Sequence, residues 1–170
     1  MIINVYFLWQ HAGGTEPYDS TIESRLEEYD GNRYICGNWL IDMEKGIKGE
    51  GEIIVTEGNT AQALGSGSLA VLATPAMVAL MEKTARLSVA PYLEEGQSTV
   101  GTLVNVKHLA ASPVGMRITC KTELVDIDRR RLVFHVECSD EAGLIGEGEH
   151  ERFIIDEAKF MAKAEAKLNK

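Results

Sequence analysis

Basic residues are in short supply: 17 Lys and Arg against 26 Asp and Glu leave a formal net charge of −9 over 170 residues. Nucleic acid and anionic membrane surfaces select basic patches, so neither is an expected partner. The acidic excess is spread along the chain and reads as solubility. Cysteine is scarce too. Cys36, Cys120 and Cys138 have no CxxC spacing and no adjacent histidine pattern, so no metal site is expected. Three thiols cannot all pair within one chain, which argues for reduced cysteines and a cytoplasmic setting. No apolar run approaches the ~20 residues of a membrane span. The opening MIINVYFLW is apolar but lacks the basic start of a secretory signal. Aromatic residues make up only 6% of the chain. What is left, 45% apolar and 25% charged, is the composition of an ordinary globular domain with one sizeable core.

The few aromatics are unevenly placed. Most precede Met43, in the clusters Tyr6-Phe7-Trp9 and Tyr29, Tyr34, Trp39. Residues 1–42 therefore read as an N-terminal extension, either genuine or translated from upstream of a natural start at Met43. Within it, Arg33–Cys36 and Trp39–Ile41 are candidate short strands around a turn at Gly37-Asn38. Residues 43–170 read as one domain.

The domain's main feature is LATPAMVALMEKTARLSVAPYL, Leu72 to Leu93. Thr74 is a candidate N-cap and Pro75 suits the first helical position. Met77, Val78, Leu80, Met81, Ala85 and Val89 give apolar surface almost all round, as in a helix buried in a sheet or an interface. Pro91 ends it. Before it, Glu52–Thr56 reads as a strand, Asn59–Leu64 as a short helical turn, and Gly65-Ser66-Gly67-Ser68 as a flexible connection. After it come four strand candidates. Strict alternation over Gln97–Ala111 puts Val100, Thr102, Val104, Val106 and His108 on one face, and Gly101, Leu103, Asn105 and Lys107 on the other. Met116–Leu124, Leu132–Cys138 and Ile145–Ile155 follow, with Gly146 and Gly148 signalling a bulge or a close backbone approach. Residues 157–170 read as a terminal helix. One apolar helix beside a run of antiparallel strands is an α+β layer architecture, a sheet wrapped around one long central helix.

Glu82 is the misfit, a carboxylate inside the apolar helix. Its bland reading is an exposed charge near Arg86. Eight residues separate it from Thr74, which at ~100° per residue leaves the two within ~80° around the axis, able to border one cleft. A partly buried carboxylate suits a general base, or a nucleophile toward a thioester. Thr74 is at least a cap; the same helix terminus would also stabilise negative charge building on a carbonyl oxygen. His108 falls on an apolar strand face, either as a core histidine or as a partner for Glu82. His11 and His135 stand apart and read as surface residues. Arg129-Arg130-Arg131 reads as a solvated turn.

ATPAMVALMEKTA, VAPYLEEGQSTVGT, VKHLAASPVG, DRRRLVF and IGEGEHERFII, in this order and spacing, resemble the fluoroacetyl-CoA thioesterase family of hot-dog proteins over residues 46–160. The resemblance implies a catalytic set of Thr74, Glu82 and His108, with Gly101 near the acyl group and Arg152 on a late strand. It also implies a homodimer with its site near the subunit interface, acyl-CoA thioesters as substrates, and no cofactor. Alone, Gly101 reads as a strand glycine and Arg152 as a surface charge. The segment before Thr74 lacks the family's phenylalanine, so the resemblance carries the reaction type and not the fluorinated acyl group. Hydrolysis of a small acyl-CoA thioester is the expected function. The alternative is a non-catalytic hot-dog module that binds acyl-CoA or an acyl carrier. A hot-dog hydratase would need a different Asp and His loop motif, which is absent.

Overall fold

The computed structural model of the chain describes residues 35–36, 39–40 and 43–169. The remaining readings within residues 1–42, the first aromatic cluster and His11 among them, lie outside the described residues. Two short strands, β1 (Ile35–Cys36) and β2 (Trp39–Leu40), pair antiparallel within the two stretches expected as strands.

The domain itself runs β3 (Lys48–Ile54), α1 (Thr74–Val89), β4 (Gln97–His108), β5 (Arg117–Asp128), β6 (Arg131–Asp140), β7 (Gly143–Asp156) and α2 (Glu157–Glu165). The five strands form one antiparallel sheet in the order β3-β5-β6-β7-β4. Strands β5, β6 and β7 follow each other through tight turns, one of which holds Arg129 at φ 56. The strand that follows the helix, β4, crosses to the far edge and pairs with β7.

The sheet's buried side carries Ile118, Cys120 and Leu124 of β5 with Leu132, Phe134, Val136 and Cys138 of β6. Against it α1 lays Met77, Leu80, Met81, Thr84, Ala85 and Val89, spaced at three and four residues as one helical stripe requires. Burying each of the larger side chains contributes ~1.5–3 kcal/mol. The helix is not apolar all round in effect: Ala79, Lys83, Arg86 and Leu87 are exposed, because a single sheet covers one stripe only. Gly146 on β7 is the close approach that its sequence context implies. A Cβ there would sit 2.6 Å from the Met77 sulfur and 2.9 Å from the Lys107 carbonyl.

Strand β4 departs from simple alternation. A bulge between Gly101 and Leu103 leaves Thr102 without a partner, so Gly101 opposes Arg152 while Val104 opposes His150. Alternation alone separates Gly101 and His108 onto two faces. The extra residue brings them onto the same face, the one turned toward α1.

Candidate active site

Thr74 opens α1, but Ala73 is the N-cap and no side chain caps the helix. The expected capping role of Thr74 is displaced by one residue, because its hydroxyl is engaged elsewhere: Oγ1 lies 2.8 Å from Nδ1 of His108. His108 ends β4, and the chain beyond it is laced to the strand leading into the helix. Leu109 N–H donates to the Ile145 carbonyl at 2.7 Å, and Leu72 N–H to the Ser112 carbonyl at 2.9 Å. The buried Ser112 hydroxyl donates to Asp140 at 2.7 Å. That bond, with the N–H groups of Ala142 and Gly143, holds the Asp140 carboxyl below its ordinary range. These ties fix the helix start against the end of β4. His108 Nε2 is buried and has no hydrogen-bond partner among the described residues.

Two turns along α1, the Glu82 side chain is 39% exposed and meets a second group of residues. A Cβ on Gly101 would overlap Glu82 Oε1 and lie 3.2 Å from His150 Cε1, so glycine is what admits the carboxylate here. Arg152 Nη1 is 3.6 Å from Oε1, and His150 Nε2 is 3.7 Å away. The Arg152 guanidinium is itself buried, at 5% exposure. Its Nε donates to Thr99 Oγ1 at 2.8 Å, its Nη2 to the Thr99 carbonyl at 2.6 Å, and its Nη1 to His150 Nε2 at 3.0 Å. Burial lowers the guanidinium's proton affinity and the Glu82 charge opposes this; an arginine remains charged throughout. Burial likewise pushes the His150 ring below its ordinary value. The Arg152 charge acts in the same sense, while the Leu103 carbonyl and Glu82 oppose it.

The structure therefore gathers the five residues singled out in the sequence along the gap between α1 and β4, but pairs them differently. Thr74 meets His108. Glu82 meets Gly101 and Arg152, and His108 is not its partner within one chain. Arg152 is a buried cation and not a surface charge. Sequence reasoning missed Thr99 and His150. The spacing of His150 and Arg152 on one strand face is a signal for His150; Thr99 depends on strand register, which no local pattern announces. His135 is exposed and pairs with Glu137 at 3.1 Å. In the arginine run, Arg131 is paired with Glu151 and Arg130 lies over the Phe153 ring. A wide cavity of about 1370 Å³ between the β5–β6 turn and α2 is lined by none of the five residues. Its wall mixes Arg129, Arg130 and Lys159 with Glu94, Glu95 and Asp156, which is no anion cradle.

Comparison with known proteins identifies the family. A family model described as fluoroacetyl-CoA-specific thioesterase matches residues 55–158. A fluoroacetyl-CoA thioesterase of Streptantibioticus cattleyicolor is 43% identical over 97 residues, 57% of this chain and 70% of that protein. A solved structure of a fluoroacetyl-CoA thioesterase variant in complex with acetyl-CoA matches with TM-score 0.70 and 36% identity, over 74% of this chain and 98% of that one. A thioesterase-superfamily protein of Thermus thermophilus matches with TM-score 0.70 and 31% identity, over 76% and 96%. The chain belongs to the fluoroacetyl-CoA-specific thioesterase family and is a thioester hydrolase of hot-dog fold.

Proposed function

We propose that the protein hydrolyses short acyl-CoA thioesters to the free acid and coenzyme A, within a functional domain of residues 43–170. Met43 is already part of the core at 6% exposure, which supports that boundary. The observation that carries the mechanism is the Glu82 carboxylate resting on the Gly101 backbone, with Arg152 as its charge partner and Thr74, eight residues back on the same helix, meeting His108 of β4. Glu82 is open enough for water to reach it. As general base it takes a proton from that water, whose oxygen bonds to the thioester carbonyl carbon. Negative charge then develops on the carbonyl oxygen. The N-terminal end of α1 and the Thr74 hydroxyl, which lies 2.8 Å from His108 Nδ1, are the groups available to stabilise it. Collapse breaks the carbon–sulfur bond, and the proton ends on the departing thiol.

The relatives are named for fluoroacetyl-CoA. In this chain Gly65 to Leu69 bears no aromatic side chain and Leu69 is exposed, so a small unfluorinated acyl group fits the proposal as well. The protein acts as a homodimer through the β4 edge, in the cytoplasm, where Cys120 and Cys138 stay reduced.

Release of free thiol from acetyl-, fluoroacetyl-, propionyl- and butyryl-CoA tests the reading directly. The expected result is turnover of at least one, with Glu82→Gln lowering kcat by ~100-fold or more at nearly unchanged melting temperature. Binding without turnover across the set, or a Glu82→Gln protein with wild-type kcat, overturns it.

A further inference from the structure

His150 is the least accessible polar residue of the Glu82 cluster, 1% exposed, and out of reach of any substrate. Its two ring nitrogens are nevertheless both used. Nδ1 lies 2.8 Å from the Leu103 carbonyl, which only accepts, so Nδ1 carries a proton. Nε2 lies 3.0 Å from Arg152 Nη1, which only donates, so Nε2 presents a lone pair. The two neighbours thus demand the same neutral tautomer. A second proton on Nε2 would face the guanidinium directly. The Phe134 ring, 6.4 Å away, packs on the same imidazole and adds no competing polar group.

This arrangement joins three elements. Leu103 is the first residue after the β4 bulge that brings Gly101 under Glu82. Among the described residues Arg152 has three acceptors that hold its plane: the Thr99 hydroxyl, the Thr99 carbonyl and His150 Nε2. Of these, His150 alone holds the Nη1 end, the end that faces Glu82 at 3.6 Å. A core residue of equal size without nitrogens would fill the volume beside Phe134. It would leave Nη1 free to swing and the bulge untethered.

We propose that His150 is a positioning residue, a neutral imidazole locked between the Leu103 carbonyl and Arg152 that sets where the Glu82 carboxylate stands. The role rests on Glu82 being the base of the thioesterase reaction. Three variants separate the two nitrogens. His150→Gln keeps an acceptor near the Nε2 position. His150→Asn keeps a donor near the Nδ1 position. His150→Leu keeps bulk alone.

The experiment follows thiol release from the best acyl-CoA together with melting temperature for wild type and all three. A misplaced carboxylate costs the chemical step and not substrate binding, so kcat of the Asn and Leu proteins should fall roughly 10- to 100-fold with KM within ~3-fold. The Gln protein should recover most of the rate. Histidine nitrogen NMR of the wild type should show the Nδ1–H neutral form of His150 at pH 7. A folded Leu or Asn protein with wild-type kcat overturns the role, as does a protonated or Nε2–H ring. Equal losses in all three variants that track melting temperature reduce His150 to core packing and overturn it too. A wild type inert toward every acyl-CoA is a different failure, that of the thioesterase reading itself, and it removes the role with it.

Discussion

Gly101 and Glu82 make the sharpest case for how a single atom governs this site. A methyl group on Gly101 overlaps the Glu82 carboxylate oxygen, and the colliding atom is the far end of a flexible, partly exposed side chain. The carboxylate can therefore swing away at little cost to folding while leaving Arg152. Gly101→Ala should lower kcat by more than ~10-fold with the melting temperature held within a few degrees, a split between activity and stability read from the same preparation. A loss of stability matching the loss of activity would mean that backbone had to move. His150 gives a prediction of the opposite kind. Burial sets its folded value below the ordinary 6.5, so the folded state binds this proton less readily than the unfolded chain. The stabilisation is complete above pH 6.5 and is lost as pH falls through the folded value. The charged groups facing the ring are Arg152, which acts with burial, and Glu82, which with the Leu103 carbonyl opposes it. Melting temperature should drop as pH goes from 7.5 toward 5.5, and His150→Gln should lack that part of the slope. A variant with an unchanged slope assigns the acid sensitivity to groups other than His150.

Elements were more legible in the sequence than their partners. The long helix was announced by Pro75, by the apolar spacing from Met77 to Val89 and by Pro91, and its observed ends, Thr74 and Val89, each lie one residue from where those signals put them. Strands β5 to β7 followed from alternation between obvious turns. The β4 bulge was not legible, because one inserted residue is specified by pairing with β7 and not by the local pattern. That is why Gly101 and His108 read as opposite-facing and Glu82 read as the partner of His108. The helix start failed for a related reason: a threonine beside a proline looks like a cap until a histidine from a distant strand takes its hydroxyl. The Thr74–His108 pair now makes its own prediction. If the hydroxyl and the imidazole act as one hydrogen-bonded unit, Thr74→Ala and His108→Ala should each lower kcat, and the double variant should resemble the worse single one. Losses that multiply would separate the two residues into independent roles.

At the scale of the whole molecule, the two edges of the sheet are not alike. On β3 the residues Lys48, Glu50 and Glu52 put charge along a short edge, the usual protection against strand addition. On β4 the edge is twelve residues long and carries exposed Leu103 and Val104, with exposed Leu109 just beyond it. That long edge, beside the exposed Ala79, Lys83, Arg86 and Leu87 of α1, is the surface that the proposed homodimer would cover. Two-fold pairing of β4 with β4 would remove the unpaired edge from both chains at once and extend the sheet to ten strands. Light scattering should then give the mass of two chains at micromolar concentration. Leu103→Lys combined with Leu109→Lys places like charges across the two-fold and should shift the mass toward one chain. A wild-type protein that stays monomeric through the micromolar range would leave the β4 edge to some other covering and remove the dimer.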